Sequence, residues 1–211
     1  MGKAVYEEDA PFLSHPGAAG AVICRTEHGT LHAGVLHKAR GAVSVLHLGW
    51  EDRLRSGWNW RKLWATPEVE LERLRSVAGL CRLIWSEFER TRLFPYALKF
   101  ENTKFSSEGR LILGEGERGL TCATFILAVF KSVGIQLVDE SQWPVRAEEN
   151  EAFLESITAF ATPAHLQALK REVAQGVQRI PPQEVVAACE YSPPASFESC
   201  VGTGIEIAAR L

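Results

Sequence analysis

The alternation of apolar and polar positions divides the chain into a strand-rich first quarter, two long helical stretches and a helical tail. Ala18 to Arg25 reads as a buried strand and Glu27-His28-Gly29 as a turn. Leu31 to His37 and Ala42 to Leu48 are β-rich runs around a short glycine-containing loop, the signature of a hairpin. Leu71, Leu74, Ala78, Cys81, Trp85 and Phe88 recur at helical spacing, with Thr66 as cap, Pro67 in the first turn and Glu68 and Glu70 at the positive end. This helix should end before Pro95. The stretch from Gly119 to Gly134 is apolar nearly all round, with only Thr124, Lys131 and Ser132 polar after its cap, Thr121. Such a helix belongs inside a fold. Residues 101–119 are polar and glycine-rich, and Leu111-Ile112-Leu113 is expected to pair with a sheet edge. Ile135 to Val138 reads as a short strand, and helices are expected at 148–161, 163–177, 182–190 and 203–210, broken at Pro181-Pro182 and Pro193-Pro194.

The hairpin register carries chemistry. A four-residue loop sets His37 against Ala42, and counting back sets His32 against His47. One face then holds His32, Gly34, Leu36, Val43, Val45 and His47, and the other holds His37 and Ser44. A slip of one residue would part the two histidines. Gly34 beside them leaves room for another element, here the start of the 121–134 helix.

That helix starts with a cysteine. Cys122 lies in the first turn, where backbone N–H groups are unpaired and the dipole is positive; both favour a thiolate. A thiolate attacks an acyl carbon, and an imidazole serves first as base and then as acid toward the leaving group. A second imidazole fixes the tautomer of the first, as a carboxylate does in serine triads. The N–H of Cys122 is a candidate oxyanion donor. The competing readings are a small side chain at the end of a core helix and two hydrogen-bonded core histidines.

Composition narrows the setting. The 211 residues are 46% hydrophobic and 23% charged, as in a soluble globular protein. A net charge of −3 and a pI near 6.1 give no basic field for nucleic acid or anionic membrane. No run approaches the roughly 18 apolar residues of a membrane span, and Glu7, Glu8 and Asp9 interrupt the start where a secretory signal would be apolar. A cytoplasmic protein is expected. The five cysteines, Cys24, Cys81, Cys122, Cys189 and Cys200, are widely spaced without a CxxC pair, so free thiols and no metal or other cofactor are expected. A metal site on His28, His32, His37 and His47 competes, although His32 and His37 face opposite ways. Trp50, Trp58, Trp60 and Trp64, interleaved with Arg53, Arg55, Arg61 and Lys62, either clamp a ligand or cover the core.

A histidine on one strand (Leu-His-Ala-Gly-Val-Leu, His32), a second on the return strand (Val-Leu-His-Leu, His47) and a later cysteine opening an apolar helix (Leu-Thr-Cys-Ala-Thr-Phe-Ile, Cys122) form an ordered set. This order resembles the circularly permuted branch of the NlpC-type papain-like hydrolases, and lecithin:retinol acyltransferase-like proteins share it. The resemblance spans roughly residues 18–138. It implies Cys122 as nucleophile, His32 as base and His47 as the residue orienting His32. Tyr96, after Pro95, is similar to a tyrosine that bacterial members carry ahead of their cysteine helix. Thr121 and Thr124 stand where the acyltransferase branch carries Asn and His, which argues against retinoid-type acyl transfer. The implied fold is α+β and papain-like: an antiparallel sheet of about four to six strands packed on the Cys122 helix, with a catalytic domain over 1–146 and a helical appendage over 147–211. The expected function is a cysteine peptidase or amidase that acts on a peptide or cell-wall-peptide amide through an acyl-enzyme. Trp50, Trp58, Trp60, Tyr96 and Thr121 are expected to bind substrate. An acyltransferase or thioesterase on lipid-linked acyl groups, and a non-catalytic binding module, are the alternatives; no oligomeric state is implied. In an enzyme, Cys122 should alkylate fastest of the five thiols near pH 6.

Overall fold

The computed structural model describes residues 6–7, 12, 14, 18–39, 41–49, 53–57, 63–92, 94–159 and 161–211. Its centre is an antiparallel sheet of β1 (Tyr6–Glu7), β2 (Ala19–Arg25), β3 (Leu31–Ala39), β4 (Ala42–Gly49), β5 (Arg53–Ser56) and β6 (Leu63–Ala65), in the order β1-β6-β2-β3-β4-β5. β2, β3 and β4 form the meander expected from their alternation. The hairpin is tighter than its sequence suggests: Ala39 lies directly opposite Ala42, and His37 pairs with Ser44 instead of Ala42. The shift is two residues. Because strand side chains alternate with a period of two, it leaves every side chain on its expected face.

The two faces bury different partners. Ala33, Val35, Leu46 and Leu48 join the main core with α1 (Leu71–Thr91) and α2 (Cys122–Ser132). Val22, Leu36 and Val45 face the other way, onto Phe12 and Trp64. Trp64 is fully buried there, edge-on to Phe12 at 4.9 Å, so this member of the tryptophan group covers the sheet. Trp50, Trp58 and Trp60 lie outside the described residues. The segment between β4 and α1 contributes two strands, β5 and β6, that its aromatic and basic composition hid.

α1 begins at Leu71, later than its cap signals imply, because the Thr66 hydroxyl bonds the Ala19 carbonyl of β2 at 3.0 Å instead of capping a helix. Leu111–Ile112 (β8) does not extend the main sheet: it pairs with Lys104–Phe105 (β7), closed by a turn at Gly109 (φ 83°) that rests on the α1 backbone at Leu83. Ile135 to Val138 is not a strand. Only Val138 bridges, in parallel, to Ala195.

The C-terminal helices are α3 (Ala147–Ile157), α4 (Pro163–Ala174), α5 (Pro182–Ala188) and α6 (Phe197–Arg210), the last starting well before the expected residue 203. Ser196 caps it by accepting from the Ser199 N–H. Val185, Val186, Ala187, Ala188 and Cys189, with Cys200 and Ile207 of α6, belong to the same core as the sheet and α2. α3 and α4 build a smaller cluster with Leu98. No helix among the described residues is long and apolar enough to cross a membrane.

Candidate active site

Cys122 is the first residue of α2. The helix starts there because Thr121 and Thr124 form a reciprocal capping box: the Thr121 hydroxyl accepts from the Thr124 N–H at 3.1 Å, and the Thr121 N–H donates to Thr124 Oγ1 at 2.7 Å. Thr124, placed where the acyltransferase branch has histidine, is thus a structural partner of the cap. Nine consecutive residues from Cys122 to Phe130 are buried, which fixes the helix against the sheet.

The two histidines meet. His32 Nε2 and His47 Nδ1 are 2.7 Å apart, with ring centroids at 4.9 Å. The contact is diagonal, a consequence of the two-residue register shift. It depends on Gly34, which lies across from His47: a Cβ built on Gly34 would sit 2.7 Å from His47 Cβ and 2.9 Å from Val45 Cγ1. The space at Gly34 therefore admits the second histidine and not, as its sequence position suggests, the start of the helix. Gly34→Ala should push His47 off His32, cost about 1–3 kcal/mol of stability and lower the thermal midpoint by several degrees. Thermal unfolding and imidazole NMR resonances check both effects; an unchanged His32–His47 coupling would refute this account.

Tautomers follow from the partners. The backbone of Gly57 bonds the His47 ring in the sense that raises its pKa, as a carbonyl accepting a ring N–H does. With Nδ1 turned to His32, that proton is on Nε2 of His47. The direction of the His32 Nε2–His47 Nδ1 bond is set by the tautomers: with the His47 proton on Nε2, His47 Nδ1 accepts from His32 Nε2–H and the lone pair of a neutral His32 is on Nδ1.

The sulfur approaches the same strand from the edge. The Lys38 N–H bonds the Ala18 carbonyl, so even-numbered amides of β3 point to β2 and odd-numbered ones to β4. The β3–β4 ladder ends at Val35–Leu46. The Ala33 N–H, left over beyond that end, is directed at the Cys122 sulfur. Cys122 thus sits beside the residue that follows His32, while the imidazoles leave the sheet on the Trp64 side. Among the described residues the sulfur makes no hydrogen bond to either imidazole. Cys122, His32 and His47 line one cavity of about 710 Å³.

Burial governs the charge state. It pushes the Cys122 thiol up, against the opposing pull of the Ala33 N–H, the Arg179 charge and the helix-start N–H groups. It pulls His32 down to about 3, with His47 and Arg55 adding to the effect, and His47 down to about 4, with Arg55 adding. The resting site is a neutral thiol beside neutral imidazoles, not the thiolate that the helix start alone favours. The remaining thiols are further from reaction. Cys24, Cys81, Cys189 and Cys200 are 0% exposed against 7% for Cys122, and burial raises Cys81, Cys189 and Cys200.

Tyr96 and Thr121 also line the cavity. Tyr96 is set by its neighbours: the Leu120 N–H bonds the Pro95 carbonyl at 3.0 Å, Gly119 packs on that carbonyl where a Cβ would collide, and the buried Glu172 carboxylate accepts the Leu98 N–H at 2.6 Å. The Thr121 hydroxyl is engaged by the cap. His28 borders the same cavity as His32 and His47, but His37 lies on the opposite sheet face, held down to about 4 by burial and by Arg82, so the four histidines do not share one site. No cluster of three or more metal-ligating side chains is present among the described residues. Sequence reasoning missed Arg179, which lines the cavity and whose charge acts on both Cys122 and Tyr96. No family model, curated protein or solved structure matches the chain.

Proposed function

We propose that the protein is a cysteine hydrolase of the peptidase or amidase type, built as a permuted papain-like domain, that cleaves an amide or related acyl bond through Cys122, His32 and His47. The observation that carries this reading is the shared cavity: a cysteine at a helix start and a hydrogen-bonded histidine pair open onto the same 710 Å³ space. From a neutral pair that is not hydrogen-bonded at rest and closes to hydrogen-bond reach when substrate is bound, the thiol proton passes to His32 Nδ1 as the sulfur attacks the carbonyl carbon. The C–S bond forms and the carbonyl oxygen takes the negative charge, opposite the N–H of Cys122 and within reach of the Tyr96 side of the cavity. His32 then protonates the leaving amine and the acyl–sulfur bond remains. Water, deprotonated by His32, hydrolyses that bond and restores the thiol. His47 Nδ1 holds the His32 ring by accepting the His32 Nε2–H, so Nδ1 of His32 stays the basic atom throughout.

The test is acylation of Cys122 by a panel of activated acyl probes, read by peptide mass spectrometry. Wild-type protein should carry the adduct on Cys122 alone, and His32→Ala should slow its formation by about 10²-fold or more. Acylation spread evenly over the five thiols, or insensitive to His32→Ala, would leave a binding module as the better reading. The raised thiol also sets the pH profile. Below its pKa the thiolate fraction climbs with pH, so iodoacetamide should alkylate Cys122 about tenfold faster per pH unit between pH 6 and 8. A rate flat across that range would mean a preformed thiolate–imidazolium pair and would overturn the neutral resting state.

A further inference from the structure

Arg179 sits between α4 and α5 and faces the cavity that holds Cys122. Its surroundings are unusual for an arginine. The guanidinium stacks over the Phe153 ring of α3, 4.3 Å from the centroid. The carboxylates nearby are already taken: Arg146 binds Glu184 through both terminal nitrogens, at 2.6 and 2.8 Å, and Glu149 at 3.1 Å. Arg146 also donates to the Arg179 carbonyl at 3.2 Å, which fixes the backbone under the guanidinium. Among the described residues Arg179 forms no ion pair and no side-chain hydrogen bond. An arginine stays cationic in a protein. Arg179 is half-buried, the Glu149 carboxylate acts on it while bonded to Arg146, and a partly desolvated charge with no counter-ion bonded to it is costly. Stacking on Phe153 occupies the face of the guanidinium and leaves its N–H edge for a planar, bidentate anion.

We propose that Arg179 is the receptor for a carboxylate on the substrate, so that the compound taken by this cavity carries its negative charge close to the bond attacked by Cys122. The proposal rests on the hydrolase reading for what is cleaved, but the carboxylate site itself does not depend on it. The substrate class is an N-acyl amino acid or a peptide with a free carboxylate beside the scissile amide. Phe153 supplies an apolar wall beside the anion, which suits a carboxylate attached to a hydrocarbon rather than a strongly hydrated inorganic ion. The Arg179 charge acts on the Cys122 sulfur and the Tyr96 phenol together, which sets the anion site within the same chamber as the reacting atom.

The first experiment compares two alkylating reagents of nearly equal size at Cys122, anionic iodoacetate and neutral iodoacetamide. The iodoacetate-to-iodoacetamide rate ratio in wild type should fall at least tenfold in Arg179→Gln and only partly in Arg179→Lys, with thermal midpoints confirming that both variants fold. An unchanged ratio in Arg179→Gln overturns the proposal. So does an equal slowing of both reagents, which would mean that Arg179 supports only the thiolate. The second experiment needs no reactive thiol. In Cys122→Ala, hippurate should bind at least tenfold more tightly than its methyl ester by calorimetry, and adding Arg179→Gln should erase the difference. Equal or absent binding of the two compounds overturns the carboxylate site. An unreactive Cys122 together with charge-selective hippurate binding would instead overturn the hydrolase reading and uphold the site.

Discussion

Cys122→Ala should eliminate acyl-adduct formation and cut turnover of any probe that acylates the wild type by about 10⁴-fold or more. The same substitution should leave the protein folded. The side chain is 7% exposed and borders a cavity, so replacing the thiol by a methyl group removes little packed volume. The capping box belongs to Thr121 and Thr124 and survives the change. A cost of about 1 kcal/mol would move the midpoint of a chain this size by roughly 2–4 °C. Cys81→Ala is the useful contrast. Cys81 is wholly buried on α1 in the main core, and its truncation should cost stability without touching acylation. A large fall in the Cys122→Ala midpoint, matching that of Cys81→Ala, would identify the thiol as a core filler and remove the nucleophile.

How far the sequence led depends on which physical signal each feature leaves. The Cys122 helix is legible because its cap, its apolar run and Gly134 in left-handed backbone (φ 77°) all act within a few residues. The histidine pairing is legible through parity alone. The assumed loop was two residues too long, yet His32 and His47 kept a common face because two is the period of a strand. What parity could not reveal is where the helix start meets the strand. Gly34 looked like the point of approach, but the approach is edge-on at the Ala33 amide, where the β3–β4 ladder stops. A ladder's end is decided by twist and by neighbouring elements, not by local sequence.

The thiol's charge state is hard to read from the sequence for a related reason. The helix-start contribution is local and readable, whereas desolvation depends on how the whole chain closes around the sulfur, and the cavity it borders is lined in part by residues more than fifty positions away, such as Arg179 and Ile180. Arg179 itself leaves no sequence signal. It sits in a connecting segment before Pro181-Pro182, one of many arginines, and only its stacking on Phe153 and the prior capture of Glu184 and Glu149 by Arg146 distinguish it.

Glu184→Ala should be among the most damaging single changes outside the reacting residues. Glu184 is 3% exposed in the first turn of α5, and its carboxylate accepts from the Trp143 indole N–H at 2.7 Å and from both terminal nitrogens of Arg146. Removing the carboxylate leaves a mostly buried guanidinium and a buried indole N–H without their acceptor. Breaking one side of such a pair costs about 3–5 kcal/mol, on the order of 10 °C for a chain of this length. Glu149→Ala is the control, because Glu149 also touches Arg146 but its side chain is 53% exposed; that pair should contribute about 1 kcal/mol or less. The loss in Glu184→Ala extends to the cavity. Arg146 holds the Arg179 carbonyl, so a loosened Arg146 frees the segment that carries the anion receptor and the α3–α5 wall around it. Replacing both charges by apolar residues, Arg146→Met with Glu184→Leu, should recover part of the stability but not the iodoacetate preference at Cys122, since the tie to Arg179 is still missing. Denaturant unfolding of the three variants decides the matter. If Glu184→Ala is no less stable than Glu149→Ala, this buried cluster does not hold α5 in place.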